Sequence, residues 1–311
     1  MREAFVHKNF RGSSLVLVKK CAAIITRYQA NGLRLTLRQL YYQLVTTNTI
    51  VNSEKSYKNL GSLVSDARLA GLLDWSAIED RVRVPKRQSE FTGLKELAET
   101  AISSYRLPRW EGQDNYVELW VEKDALAGVL APLGREFHVT IMVNKGYSSQ
   151  SAMYEASKRF LEGEENGQSP VLLYLGDHDP SGEDMVRDIR DRLSTFGVEV
   201  DVRKVALTTP QVQEYDPPPN PAKLTDSRAA AYIEKHGPHS WEVDAIPPEE
   251  LQRLIRVAIK AVVDLDAMEV VKAQEKKDKQ ALRRAVAELT GEDADDIAGD
   301  DTDEDDDGSE E

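Results

Sequence analysis

Hydrophobic positions recur with a helical period along the first third of the chain, and with βα alternation beyond it. Ser13 to Ala30 is an amphipathic stretch stopped by Asn31-Gly32. Thr36 then stands as an N-cap, and Gln39 three residues later completes a capping box for a helix over Leu37 to Thr46. A third helix is predicted from Ser53 to Leu72, with Tyr57, Leu60, Val64 and Ala67 on one stripe. Residues Trp75 to Pro85 include the alternating Arg81-Val82-Arg83-Val84, which suits a β-wing. A helix near Phe91 to Tyr105 follows. Short apolar runs at about 116–121, 139–143, 170–175 and 198–206 then alternate with helical stretches at about 124–134, 149–162 and 182–194. Strands separated by helices of this length imply a mostly parallel sheet, so the fold class is mixed α/β. Asp216-Pro-Pro-Pro-Asn-Pro221 reads as a loop, and Pro248 to Leu289 as mostly helical.

Composition adds the class of partner. The chain has 311 residues, 41% of them hydrophobic, enough for about two domains with their own cores. No run approaches the ~18–20 apolar residues of a membrane span, and the start lacks a signal-peptide pattern. A cytoplasmic protein with no membrane partner is expected, nucleoid-associated if prokaryotic. The single cysteine, Cys21, excludes an internal disulfide framework and a cysteine zinc site, and its apolar helical setting predicts a buried thiol.

The net charge of −14 has to be divided to be read. Residues 292–311 hold 13 Asp/Glu and no Lys/Arg, a composition that predicts a disordered acidic tail. Residues 1–110 hold 18 Lys/Arg against 9 Asp/Glu, whereas residues 111–291 hold 22 against 32. A basic first third beside an acidic middle is the charge layout of a nucleic-acid enzyme, although charge alone fits a plain solvated surface about as well. Three helices and a basic wing describe a winged helix-turn-helix over residues 1–110 that would bind double-stranded DNA. Lys55, Lys58 and Arg68 lie off the apolar stripe of its third helix, and Arg81 and Arg83 lie on the wing. These five are its candidate DNA contacts.

Two segments carry candidate chemistry. Val171 to Leu175 is a strand that ends in Gly176-Asp177-His178-Asp179-Pro180-Ser181-Gly182, and Tyr116 to Val121 is a strand that ends in Glu122-Lys123. Neighbouring parallel strands place such ends on one sheet edge, where ligands bind. Glu122, Asp177 and Asp179 gathered there repel one another unless a cation sits between them, and all-oxygen ligation suits Mg²⁺. Asp177 and Asp179 alternate, so both can face one site while His178 points away as a solvated neighbour. Lys145-Gly146-Tyr147-Ser148, after the second strand, offers Lys145 as a phosphate contact or, equally, as a solvated lysine. Further on, Glu242 and Asp244 could support the site from behind, and read more readily as ordinary surface carboxylates.

The other segment is Arg38-Gln39-Leu40-Tyr41-Tyr42. Leu37, Leu40, Tyr41 and Leu44 share one apolar face, which makes Tyr41 core. Tyr42 lies off that stripe, four residues after Arg38 on the same flank. A nearby guanidinium favours phenolate and can hold a phosphate oxygen, although an exposed Tyr stacked on an Arg is common on any helix.

Together, strand-Glu-Lys, Lys-Gly-Tyr-Ser and Asp-x-Asp-Pro-x-Gly resemble the Toprim domain, and Arg-x-x-Tyr-Tyr ahead of them resembles the A subunit of topoisomerase VI and the related meiotic break-making transesterases. Ser148 and Ser181 depart mildly from that pattern. The chain is similar to the compact, stand-alone members of the group. The resemblance implies a winged-helix domain over 1–110, a Toprim metal-binding domain over 111–265, a helical extension over 266–291 and the tail. It implies that Tyr42 attacks a DNA phosphodiester to give a 5′-phosphotyrosyl link, that Arg38 stabilises the developing charge, and that Glu122, Asp177 and Asp179 hold Mg²⁺. A homodimer is implied as well. No Gly-rich nucleotide loop of a recognised type occurs here, so either a separate ATPase subunit of GHKL type exists, or the chain cuts DNA for another purpose such as recombination or replicon maintenance. Two other readings stay open: a Toprim nuclease that uses water, and a non-catalytic winged-helix protein whose Toprim fold is a dimerisation scaffold.

Overall fold

The computed structural model describes residues 2–30, 32–78, 89–144 and 146–291. Arg81, Arg83, Lys145 and the acidic tail lie outside the described residues. The chain divides into two compact units, Met1–Val84 with Asp114–Val262, and Pro85–Gln113 with Val263–Glu311.

The first unit begins with three helices, α1 (Gly12–Ala30), α2 (Leu37–Thr46) and α3 (Glu54–Leu69). Their order and spans match the periodicity of the sequence. The capping box starts α2: Thr36 Oγ1 accepts from Gln39 N, and Gln39 Oε1 accepts from Thr36 N at 2.8 Å. Cys21, Ile25, Tyr28, Leu40, Leu44, Leu60 and Val64 form one apolar cluster between the three helices. The Cys21 thiol is wholly buried, and that burial pushes its pKa up to about 11. Where a wing was expected, Trp75–Ala77 is a short 3₁₀ turn, and Ile78 makes a parallel bridge to Leu35. The rest of that segment, to 88, lies outside the described residues.

The same unit then builds a sheet from β1 (Asn115–Val121), β2 (Thr140–Val143), β3 (Ser169–Leu175) and β4 (Asp201–Ala206). Its order is β2-β1-β3-β4 and every pairing is parallel. Three helices connect the strands: α5 (Ala127–Phe137), α6 (Gln150–Glu165) and α7 (Pro180–Ser194). From β1 the chain steps one way to β2, then back across β1 to β3. Right-handed crossovers in opposite directions place α5 and α6 on opposite faces and create a switch point between β1 and β3. Both strands are therefore covered on two sides, which is why they read as continuous apolar runs. Trp120, Phe160, Leu172, Tyr174 and Ile189 pack under α6 and α7. Glu118 is wholly buried in β1, where Arg159 grips both its oxygens at 2.6 and 2.9 Å and Trp120 Nε1 donates at 2.7 Å.

The unit closes with α8 (Thr209–Tyr215), β5 (Asn220–Pro221), α9 (Ala229–His236), β6 (His239–Ser240) and α10 (Pro248–Lys260). In the second unit, α4 (Leu94–Ser104) packs on the long α11 (Leu265–Thr290). Glu275 of α11 is buried there, accepting from Leu107 N at 2.9 Å and facing Arg109 and Lys279. The predicted class, mixed α/β with a parallel sheet and a helical C-terminal stretch, is what forms. No helix among the described residues is long and apolar enough to cross a membrane.

Candidate functional site

Val121 pairs in register with both Val143 and Leu175, so the strands end together and their outgoing turns share one edge. Glu122 and the 177–179 turn therefore emerge on either side of the switch point, as the spacing predicted. Glu122 Oε2 accepts from Asp177 N at 3.1 Å, which ties the two turns together. Asp179 caps α7, its Oδ1 taking Gly182 N at 2.7 Å and the Ser181 hydroxyl at 2.9 Å. Gly182 has a steric reason: a Cβ there would stand 2.1 Å from the Asp177 carbonyl oxygen. Lys204 of β4 holds that same carbonyl at 2.9 Å.

Asp177 turns inward toward a segment far along the chain. Its Oδ1 accepts from Val243 N at 2.9 Å and lies 2.8 Å from Lys123 Nζ. The Lys123 ammonium also meets Glu242 Oε2 at 2.8 Å and Asp244 Oδ1 at 2.9 Å. Glu242 and Asp244 arrive because the His178 and Trp241 backbones bond each other reciprocally, at 2.8 and 2.9 Å. The 3₁₀ turn Val243–Ala245 then packs onto α2. Neither acid is an ordinary surface carboxylate: the Asp244 side chain is fully buried, and both are ion-paired. The alternation Trp241-Glu242-Val243-Asp244 was the one local sign of this.

That turn brings α2 to the same cluster. Arg38 bonds Glu242 Oε2, and its Nε lies 3.2 Å from Asp244 Oδ2, an ion-pair contact without hydrogen-bond alignment. Its guanidinium also sits 5.8 Å from the centroid of the Tyr42 ring. Tyr42, expected off the core stripe, is only 4% exposed, because Glu242 to Ala245 cover that flank. Tyr41 is core as predicted, its hydroxyl donating to Asn52 Oδ1 and accepting from Ser53 N, both at 2.8 Å. A pocket of about 280 Å³ opens beside Arg38, Tyr42, Ser53, Tyr57 and Glu242.

The charges follow from burial and proximity. Burial pushes the Tyr42 phenol well above its usual range, and Glu242 and Asp244 push it further while Arg38 opposes them. Burial also lifts the Asp177 carboxyl to about 7, against the pull of Lys123 and with the help of Glu122 and Asp244. Burial works against ionisation of Glu242 too, but Lys123 and Arg38 outweigh it and hold that carboxyl down at about 2. Lys123 and Arg38 are themselves held charged by the acids around them, despite the desolvation that favours their neutral forms.

The Mg²⁺ set does not assemble as a closed cage. Asp177, Asp179 and Glu122 each face a separate protein donor. Among the described residues, one group of His, Cys, Asp or Glu side chains brings three ligand atoms within 4.8 Å of one another: His178, Glu183 and His236. This trio can hold a metal ion. His178 was expected as a solvated neighbour and is instead 1% exposed, enclosed by Tyr232, Trp241 and His236. Burial holds its pKa below the usual histidine range.

The candidate DNA contacts on α3 differ from one another. Lys55 is exposed and Lys58 is exposed beside Glu54 at 2.6 Å. Arg68 bonds the Trp75 carbonyl at 2.7 Å and stacks on the indole at 4.5 Å, which commits it to the fold. Searches against protein-family models and curated proteins give no match for this chain.

Proposed function

We propose that the chain is a Mg²⁺-dependent DNA transesterase similar to the topoisomerase VI A subunit, with α1 to α3 as a winged-helix module and the parallel sheet as a Toprim-like domain. The observation that carries this reading is one run of contacts within a single unit. Tyr42 lies under Arg38, Arg38 pairs with Glu242 and Asp244, and Lys123 links both to Asp177 at the switch point. A phenol, a guanidinium and strand-end carboxylates in one place are the parts that phosphoryl transfer to tyrosine needs.

In this reading the Tyr42 oxygen attacks a DNA phosphorus and displaces the deoxyribose 3′ oxygen, leaving a 5′-phosphotyrosyl link and a 3′-OH. Arg38 stabilises the charge that builds on the phosphoryl oxygens. Lys123 lies against Asp177, Glu242 and Asp244 and so holds the three carboxyl groups side by side. The carboxylate oxygens of Glu122, Asp177 and Asp179 suit a hard cation, and the burial that lifts Asp177 is a load such a cation relieves. When bound there, Mg²⁺ would neutralise charge at the scissile phosphate. The resemblance further implies a homodimer in which each tyrosine serves the partner's carboxylates. The contact of Arg38 with its own chain's Glu242 is then the resting arrangement, released when DNA binds.

A second reading has a specific observation in its favour. Tyr42 is buried and its phenol is hard to ionise as it stands, which suits a nuclease that activates water instead. Labelled duplex DNA, Mg²⁺ and protein quenched with detergent separate the two. Label that stays on wild-type protein until proteolysis, and is absent with Tyr42→Phe, supports the transesterase. Free ends from both proteins support the nuclease.

A further inference from the structure

We propose that His178, Glu183 and His236 form a binding site for a divalent transition cation of the zinc type, distinct from the carboxylate edge and independent of the DNA reading. The three residues come from three elements: the turn after β3, the first turn of α7, and the end of α9. Two imidazoles and one carboxylate are a donor set for a borderline cation, and a poor one for Mg²⁺.

The hydrogen bonds around His178 select its metal-binding form. The Tyr232 hydroxyl lies 2.9 Å from the His178 carbonyl oxygen and 3.0 Å from that of His239, so its proton is needed there. Its oxygen, 2.7 Å from His178 Nδ1, must then accept a proton from that nitrogen. Nδ1 carries the hydrogen and Nε2 keeps the lone pair, the arrangement in which an outer partner orients a ligating imidazole. Among the described residues Nε2 meets the Thr209 hydroxyl at 2.9 Å, and that hydroxyl also lies 3.4 Å from His236 Nδ1, so one neutral group faces both imidazoles and a cation would displace it. On Glu183, Lys204 takes Oε1 at 2.6 Å and leaves Oε2 for a cation.

The consequence is mechanical. A cation here clips His178 to His236 across 58 residues of chain that include α7, β4, α8 and α9. His178 sits between Asp177 and Asp179, so the clip holds the turn that presents both carboxylates.

The test is a titration of chelator-stripped, full-length protein with Zn²⁺ in excess Mg²⁺, followed by calorimetry and by the thermal midpoint. Co²⁺ absorption serves as the second probe. The expected result is one tight Zn²⁺ per chain, a raised midpoint, and a Co²⁺ spectrum of low coordination number. His236→Ala and Glu183→Gln should each weaken binding by at least about tenfold, and Tyr232→Phe by about 10–100-fold. Absence of tight binding by the wild type, or binding that ignores both His236→Ala and Glu183→Gln, overturns the proposal.

Discussion

Lys123 Nζ lies 2.9 Å from Oδ1 of Asp244, a carboxylate with no solvent exposure of its own. The lysine follows β1 and the aspartate lies 121 residues later, yet this pair is the centre of the charged cluster. A buried carboxylate is costly unless paired, and a buried ammonium is equally so, which makes each the condition of the other.

Lys123→Met removes the one ammonium that Asp177, Glu242 and Asp244 share. Arg38 still faces Glu242 and Asp244, but Asp177 loses its one ion-pair partner among the described residues, and breaking a buried pair in this way costs about 3–5 kcal/mol. The urea midpoint should fall accordingly, and added Mg²⁺ should restore part of the loss in the variant while affecting the wild type less, because binding to the native state stabilises it. A variant as stable as wild type would remove Lys123 from its central place.

Glu242→Gln should make Tyr42 easier to ionise. The glutamate raises the phenol's pKa by charge and by hydrogen bonding, so neutralising it favours the phenolate. A UV difference titration against Tyr42→Phe should show the Tyr42 transition well above the ordinary value of about 10 in wild type, and lower in the variant. An unmoved transition would mean that burial, with Asp244 and Arg38, sets it without Glu242.

Arg38→Ala should cut DNA cleavage about 10²–10³-fold, the usual cost of losing one donor aimed at developing charge. Arg38→Lys should fail to restore it, because an ammonium cannot both stack on Tyr42 and fork onto Glu242 and Asp244. Duplex affinity should change little. Loss of binding equal to the loss of cleavage would make Arg38 a DNA anchor instead.

Glu275 gives the second unit an acid-sensitive element. Burial resists its ionisation, but the Leu107 amide, Lys279 and Arg109 outweigh that and hold its pKa below the ordinary glutamate value. Its folded pKa lies below its unfolded one, so its stabilisation is complete above about pH 4.3 and fades as pH drops through the folded value. Glu275→Gln should cost about 1–3 kcal/mol at neutral pH, and the gap to wild type should close in acid. Hydrogen exchange of α11 amides reads this directly. A gap that persists at low pH would contradict the assignment.

The parts of the molecule that depend on neighbouring residues were legible in the sequence. The Thr36–Gln39 box, the apolar stripes of α1 to α3 and the strand runs ending at Glu122 and Asp177 are local patterns, and each element formed close to its predicted span. What could not be read depends on chain that returns from far away. Tyr42 looked peripheral because its own helix offers no cover; the cover comes from Glu242 to Ala245, some 200 residues later. Glu242 and Asp244 looked like surface acids because the His178–Trp241 backbone bridge that carries them inward has no sequence signature. His178 looked solvated for the same reason: Tyr232, His236 and Trp241, which enclose it, belong to α9 and the segment after it.

The most direct test of the central claim is to trap the DNA–protein product with Mg²⁺, digest both polymers, and locate the nucleotide by peptide mass spectrometry. The account predicts a 5′-nucleotide on the peptide that holds Tyr41 and Tyr42, with fragment ions placing it on Tyr42. A nucleotide on any other residue, or cleaved DNA with no adduct, would contradict it.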